Sequence, residues 1–228
     1  MTKKLTLAIL FALASIYSFA AQESPSPTLT PAATPLSPTR SVRISFVPPP
    51  LEGTISLGVY DGNGKLVRIL HQEADLNEFT IGADALVTKW DGKNDDGEDL
   101  PAGKYHARGY LVGRSKIEDL GQAAASPVKD NESGNVKMKL MPNPLAGDER
   151  PIVDVGVGFD DEGSFLKTTD GLRLCTVSET PNLIRAFIKK NGEKSVDVWQ
   201  DDGAVVEQFR ISNIDKTMAF DCGDFELK

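Results

Sequence analysis

The chain has 228 residues, 40% of them hydrophobic and 25% charged, a globular composition with room for one large domain or two small ones. Its formal net charge of −8 argues against an electrostatic grip on nucleic acid or anionic lipid. Two histidines and two cysteines are too few for histidine-rich catalytic centres or zinc clusters.

Lys3 and Lys4 precede an uncharged, mostly apolar stretch from Leu5 to Gln22, and Ser18-Phe19-Ala20 sets small residues at both positions that a signal peptidase reads. Residues 1–20 are therefore expected to be a cleaved secretory signal. The competing reading is a retained anchor, since the apolar stretch could just reach across a thin bilayer. No cysteine lies near the junction, so the lipid-carrying cysteine of bacterial lipoproteins is not available. Cleavage after Ala20 predicts a periplasmic or secreted protein with no stable membrane insertion, and losing Lys3 and Lys4 makes it more acidic still. Residues 21–40 alternate Pro25, Pro27, Pro31, Pro35 and Pro38 with Ser, Thr and Ala and contain no aromatic residue. Such a stretch buries too little apolar surface to offset its chain entropy and is expected to be a disordered Pro/Ser/Thr-rich linker.

From Arg40 onward the pattern has period two, broken by turn residues every eight to twelve positions, which predicts an all-β fold. Val42, Ile44 and Phe46 alternate in a first strand that stops at Pro48-Pro49-Pro50, where missing N–H groups forbid a ladder. Ile55, Leu57 and Val59 mark a second, and Asp61-Gly62-Asn63-Gly64 folds it back into Leu66 to Leu70 as a hairpin. Glu73 to Phe79 suits a short turn of helix. Leu86 and Trp90 bound the next strand, and Tyr105, Ala107, Gly109 and Leu111 mark the inward side of a longer one. Between these two lies WDGKNDDGEDLPAGKY, Trp90 to Tyr105. An aromatic ends one strand, an acidic Gly-bearing loop follows, and Pro101-Ala102-Gly103 makes a turn. Tyr105 then packs its ring inward while its hydroxyl reaches a loop backbone.

These residues resemble a known family. Ser45-Phe46-Val47-Pro48, the hairpin Val59 to Leu70, and above all the ordered set Val67-Arg68, Trp90-Asp91-Gly92, Gly97 and Pro101-Ala102-Gly103-Lys104-Tyr105 resemble the Ig-like module of flagellar hook-capping proteins and some secreted subtilisin-type proteases, the FlgD/Vpr Ig-like family. The resemblance covers about residues 42–112. It implies a seven-stranded β-sandwich used as a non-catalytic module, here over residues 41–113. The stretch His71 to Thr88 is longer than the family pattern, and no hook-capping amino-terminal region is present, so the flagellar role does not carry over.

Residues 114–150 are rich in Gly, Ala, Ser, Asn and Pro and read as a connector, with one strand at Val136, Met138 and Leu140. A small β-rich unit is expected over residues 151–228. Its clearest element is Val196 to Ile211, two alternating strands around Asp201-Asp202-Gly203. Together with Phe165–Leu174 and Leu183–Ile188 it would fit one propeller-like blade, but a single blade cannot bury its own faces. The unit is therefore expected to pack on the sandwich. Cys175 and Cys222, an even pair in an exported chain, are a disulfide candidate, with two buried free thiols the other arrangement.

Candidate chemistry is sparse. Asp91, Asp95, Asp96 and Asp99 form the one loose calcium candidate, although Lys93 and Asp96 fall where an EF-hand loop needs an oxygen ligand and a glycine. Asp160-Asp161-Glu162 and Asp201-Asp202 lie on turns, where neighbouring carboxylates diverge into water instead of facing across a cleft. His71 and His106 fall on strands, and neither a serine nucleophile elbow nor a phosphate-binding glycine loop occurs. The sequence thus predicts no enzyme and no cofactor. It suggests an exported module that binds an unidentified envelope or extracellular protein. The alternative, a carbohydrate-binding accessory, needs an exposed aromatic platform, for which Tyr60, Trp90, Tyr105, Tyr110 and Trp199 are the candidates.

Overall fold

The computed structural model describes residues 40–124, 134–145, 148 and 150–228. The expected signal, 1–20, and all of the expected linker but Arg40 lie outside the described residues. Among the described residues no helix is long and apolar enough to cross a membrane.

The described chain is all-β. Its first strands are β1 (Val42–Phe46), β2 (Gly53–Asp61), β3 (Leu66–Ala74), β4 (Thr80–Ile81), β5 (Leu86–Trp90), β6 (Gly103–Gly113), β7 (Lys116–Gln122) and β8 (Val136–Lys139). They are followed by β9 (Ile152–Phe159), β10 (Ser164–Thr168), β11 (Arg173–Ser178), β12 (Arg185–Lys190), β13 (Ser195–Asp201), β14 (Val206–Ser212) and β15 (Thr217–Leu227). The turn of helix expected near Glu73 to Phe79 is a single 3-10 turn, Leu76–Glu78.

Two sandwiches result, each made of two antiparallel sheets. In the first, β1-β5-β4 faces β15-β6-β2-β3. Alternation in β2 and β6 sends Ile55, Leu57, Val59, Tyr105, Ala107 and Leu111 into the core between them, with Ile44 and Phe46 of β1 and Trp90 of β5 opposite. Phe220 of β15 lies flat against Phe46, ring centroids 4.8 Å apart, and Phe79 meets Phe46 edge-on at 5.6 Å. The β2–β3 hairpin turns as its residues dictate: the Asp61 carboxylate accepts from the N–H groups of Asn63 and Lys65, both at 2.9 Å, and Gly64 takes a φ of +78°.

In the second sandwich, β11-β10-β9-β8 faces β12-β13-β14-β7 around Met138, Val155, Leu166, Leu172, Val196, Val198 and Ile211. Tyr110 and Val112 of β6 and Ala219 of β15 join this same core, so β6 feeds one core from each of its faces. The stretch Phe165–Leu174 is a hairpin of β10 and β11, because Asp170-Gly171 turns the chain there, with Gly171 at φ +102°.

The sheets cross the boundaries expected at 113 and 150. β7 and β8 arise in the 114–150 connector yet belong to the sheets of the second sandwich. β15 arises within 151–228 yet pairs along the full length of β6 and completes the first.

Candidate functional site

The residues that carry the family resemblance converge at one end of the first sandwich. Trp90 closes β5 with its indole buried, its Nε1–H donating to the Lys93 carbonyl at 2.8 Å. The Tyr105 ring meets it edge-on at 5.0 Å, and the Tyr105 hydroxyl donates to the Pro101 carbonyl at 2.8 Å. Gly92 and Gly97 take φ values of +78° and +80°, and the Leu100 N–H donates to the Gly92 carbonyl at 2.9 Å. Arg68 donates to the Asn94 carbonyl at 2.7 Å, while Val67 packs against the first core beside it. Asp91 accepts from the Lys93 N–H at 3.1 Å, and Gly103 opens β6. The carboxyl-terminal strand seals this arch: Phe225 lies 5.7 Å from Trp90, and a Cβ on Gly92 would come within 2.9 Å of the Leu227 side chain. Each motif residue is thus occupied in holding a β-arch.

The four carboxylates of the calcium candidate are not brought together. Asp95 accepts from the Ile69 N–H of β3 at 2.9 Å and lies 3.8 Å from Arg68, whereas Asp99 pairs with Lys93 at 3.1 Å. Asp91 turns to its own loop, and Asp96 is exposed. Among the described residues no group of three or more His, Cys, Asp or Glu side chains is placed to hold a metal.

Cys175 and Cys222 form no disulfide, a correction to the pairing considered from sequence. They belong to different cores: Cys175 packs against the second and Cys222 against the first. Burial pushes each thiol up to about 12, helped by Glu73 beside Cys175 and Asp221 beside Cys222. At that value neither is a thiolate nucleophile near neutral pH.

The densest polar chemistry lies on the face of β6 that carries Tyr110 into the second core, and on β15 beside it, where sequence patterning gave no cue because its members are far apart in the chain. His106 sits between two carboxylates of β15, 2.7 Å from Asp224 at Nδ1 and 2.8 Å from Asp221 at Nε2. Arg108 lies 4.0 Å over the Tyr60 ring and 3.4 Å from Asp170 of the β10–β11 turn. Burial, with Asp170 adding to it, pushes the Tyr60 phenol above its ordinary range. Arg150 pairs with the buried Asp148 at 2.5 Å, stacks 4.6 Å over Tyr110, and donates to the Phe220 and Gly109 carbonyls at 3.0 and 3.3 Å. Burial opposes the charge of Asp148, but the hydrogen bonds from Arg150 outweigh it and hold the carboxyl below its usual range. These groups tie the edge strand β15 and the β10–β11 turn to β6. The Tyr60 hydroxyl and the Arg108 Nε–H are buried there without a hydrogen-bond partner, and the cluster offers no nucleophile beside a base.

On the opposite face of the β13 sheet, Asp197 is held below the usual carboxylate range because hydrogen bonds from Arg210 and Asn191 outweigh the cost of its burial. A shallow hollow of about 430 Å3 is lined by Glu162, Ser164, Arg173, Thr176 and Glu179. Arg173 is already committed there, stacked 3.7 Å over Phe165 and paired with Asp160. Asp161 and Asp202 stay exposed on their turns, and Asp201 pairs with Arg185, so neither acidic run forms facing carboxylates. All five aromatic candidates for a sugar platform are buried, Trp199 and Tyr105 at 6% exposure and Tyr60 and Trp90 at 1%. The chain matches no protein-family model, no curated protein and no solved structure.

Proposed function

We propose that this chain is an exported, non-catalytic Ig-like module that binds a protein partner, or assembles with one, at the cell envelope or outside the cell. One observation supports this above the others: the residues that distinguish the sequence all serve the fold. Trp90, Tyr105, Gly92, Gly97, Arg68 and Pro101 build the arch, His106 of β6 pairs with Asp221 and Asp224 of β15, and Arg150 pairs with Asp148. A framework so largely occupied with its own structure, with no convergent nucleophile, base and oxyanion donors among the described residues, suits a rigid display surface. The signal-like amino terminus and Pro-rich stretch support export and tethering.

The test is affinity capture with the mature chain, residues 21–228, from its native envelope or secretome. A protein that co-purifies in proportion and rebinds as a purified component supports the reading. Saturable binding on a glycan array, with no such protein, overturns it. The five buried rings weigh against that outcome, because a sugar platform stacks on an exposed aromatic face.

A further inference from the structure

Two turns of this chain close on the same scheme and carry the same dipeptide. In the β2–β3 turn the Asp61 N–H donates to the Lys65 carbonyl, and in the β12–β13 turn the Asn191 N–H donates to the Ser195 carbonyl, both at 2.9 Å. The first turn contains Asn63-Gly64 and the second Asn191-Gly192, and the sequence holds no other Asn-Gly. Glycine has no Cβ to shield its main-chain nitrogen, so that nitrogen can reach the side-chain carbonyl carbon of the asparagine before it.

The fold treats the two asparagines differently. Asn191 Nδ2 donates to both Asp197 oxygens, at 3.0 and 3.2 Å, and Asp197 is itself pinned by Arg210 at 2.8 and 3.0 Å. Asn63 stands exposed at the tip of its turn, with the Asp61 carboxylate of the same turn beside its amide. The attacking nitrogens are held in the reverse order: Gly64 donates to the Asp61 carbonyl at 2.9 Å, and Gly192 makes no such bond among the described residues. The amide contacts decide the outcome. Bonds to an ion-paired carboxylate on a sheet outlast a neutral main-chain bond at an exposed tip, which breaks by local fraying. Asp61-Gly62 does not compete, because the main-chain N–H groups of Lys65 and Asn63 hold the Asp61 carboxyl below its usual range, and an ionised carboxylate resists attack.

We infer that Asn63 is a site of spontaneous covalent modification in the folded protein, losing its side-chain amide to become aspartate or isoaspartate, while the fold protects Asn191. The Gly64 nitrogen bonds to Asn63 Cγ and gives up its proton, the Cγ–Nδ2 bond breaks, and Nδ2 leaves as ammonia. Water then opens the cyclic imide at either carbonyl, breaking one C–N bond and returning a proton to the ring nitrogen. Nothing is oxidised or reduced, and one water enters for each ammonia lost. Opening at the main-chain carbonyl routes the backbone through the side chain, which lengthens the turn and pulls apart the main-chain bonds that close it.

The test incubates the mature chain, residues 21–228, at mildly alkaline pH, folded and in denaturant, and follows both dipeptides by peptide mapping and mass spectrometry. In the folded chain the acid product is expected to build up at residue 63 roughly tenfold or more faster than at residue 191, and in denaturant the two rates should agree within about twofold. In a natively folded Asp197→Asn variant, residue 191 should convert several-fold faster than in the parent chain. No conversion of Asn63 in the folded chain overturns the site. Equal folded-state rates at the two asparagines, an equal disparity in denaturant, or an unchanged rate at residue 191 in the folded Asp197→Asn variant overturns the protection of Asn191.

Discussion

Tyr105 shows how much one hydroxyl holds in place. Its bond to Pro101 fixes the exit of the arch while its ring backs Trp90, so Tyr105→Phe loses the bond and keeps the ring. The expected cost is about 1 kcal/mol, read from the denaturant midpoint at unchanged m-value. His71 offers a pH test. Burial lowers its imidazole below the ordinary value of 6.5, with its ring 4.2 Å from Phe79 and Nε2 2.7 Å from Thr88 Oγ1. The unfolded ring therefore gains its proton first as pH falls, and below about 6.5 the unfolded state binds more protons than the folded one. His71 accordingly contributes stability that is present above that pH and is lost below it. His71→Asn should flatten the decline between pH 7 and 5 relative to the native chain; parallel curves would refute the assignment. Both cysteines should resist a thiol reagent in the native state and react fully in denaturant, with no mobility change on reduction.

At the scale of elements, β15 is the strand on which both cores depend. Phe220 packs on Phe46 in the first core, and Ala219, one position earlier, faces the second. Phe220→Ala should cost about 3–5 kcal/mol, seen as a large fall in melting temperature. Sequence pattern reveals β1, β2, β3, β5 and β6 because each carries apolar residues to the first core and turns at Pro, Asp or Gly. It also reveals the β13–β14 hairpin at Gly203, for the same reason. It conceals β15, whose alternation breaks where Cys222 bulges between Asp221 and Gly223. β7 is concealed for the opposite reason: exposed on both faces, it has no alternation to read. The arch at Trp90–Tyr105 was legible because its chemistry is local. The pairs His106–Asp221 and Arg150–Phe220 were not, since only the assembled sheet brings them together.

Taken as a whole, residues 40–228 should behave as one cooperative unit. The two cores lie on opposite faces of β6 and β15, so losing either strips one face of the strands that build the other. A fragment of residues 40–115 contains all of the family-like residues but lacks β15, and it should show neither dispersed amide resonances nor a cooperative melt. The intact folded part should give a single transition by both near- and far-ultraviolet circular dichroism. Two separated transitions would mean that the sandwiches unfold independently.

The pairing of β15 with β6 also has a meaning in time. His106 and Asp224 stand 118 residues apart in sequence, and every hydrogen bond of that ladder waits on the later partner. As the chain emerges amino end first, the early strands wait with one edge of β6 unpaired and Phe220 and Leu227 missing from their core while the second sandwich is made. The long wait makes the nascent chain slow to commit and open to chaperone capture. A polypeptide built this way cannot close its first sandwich until the strand Thr217–Leu227 has been released.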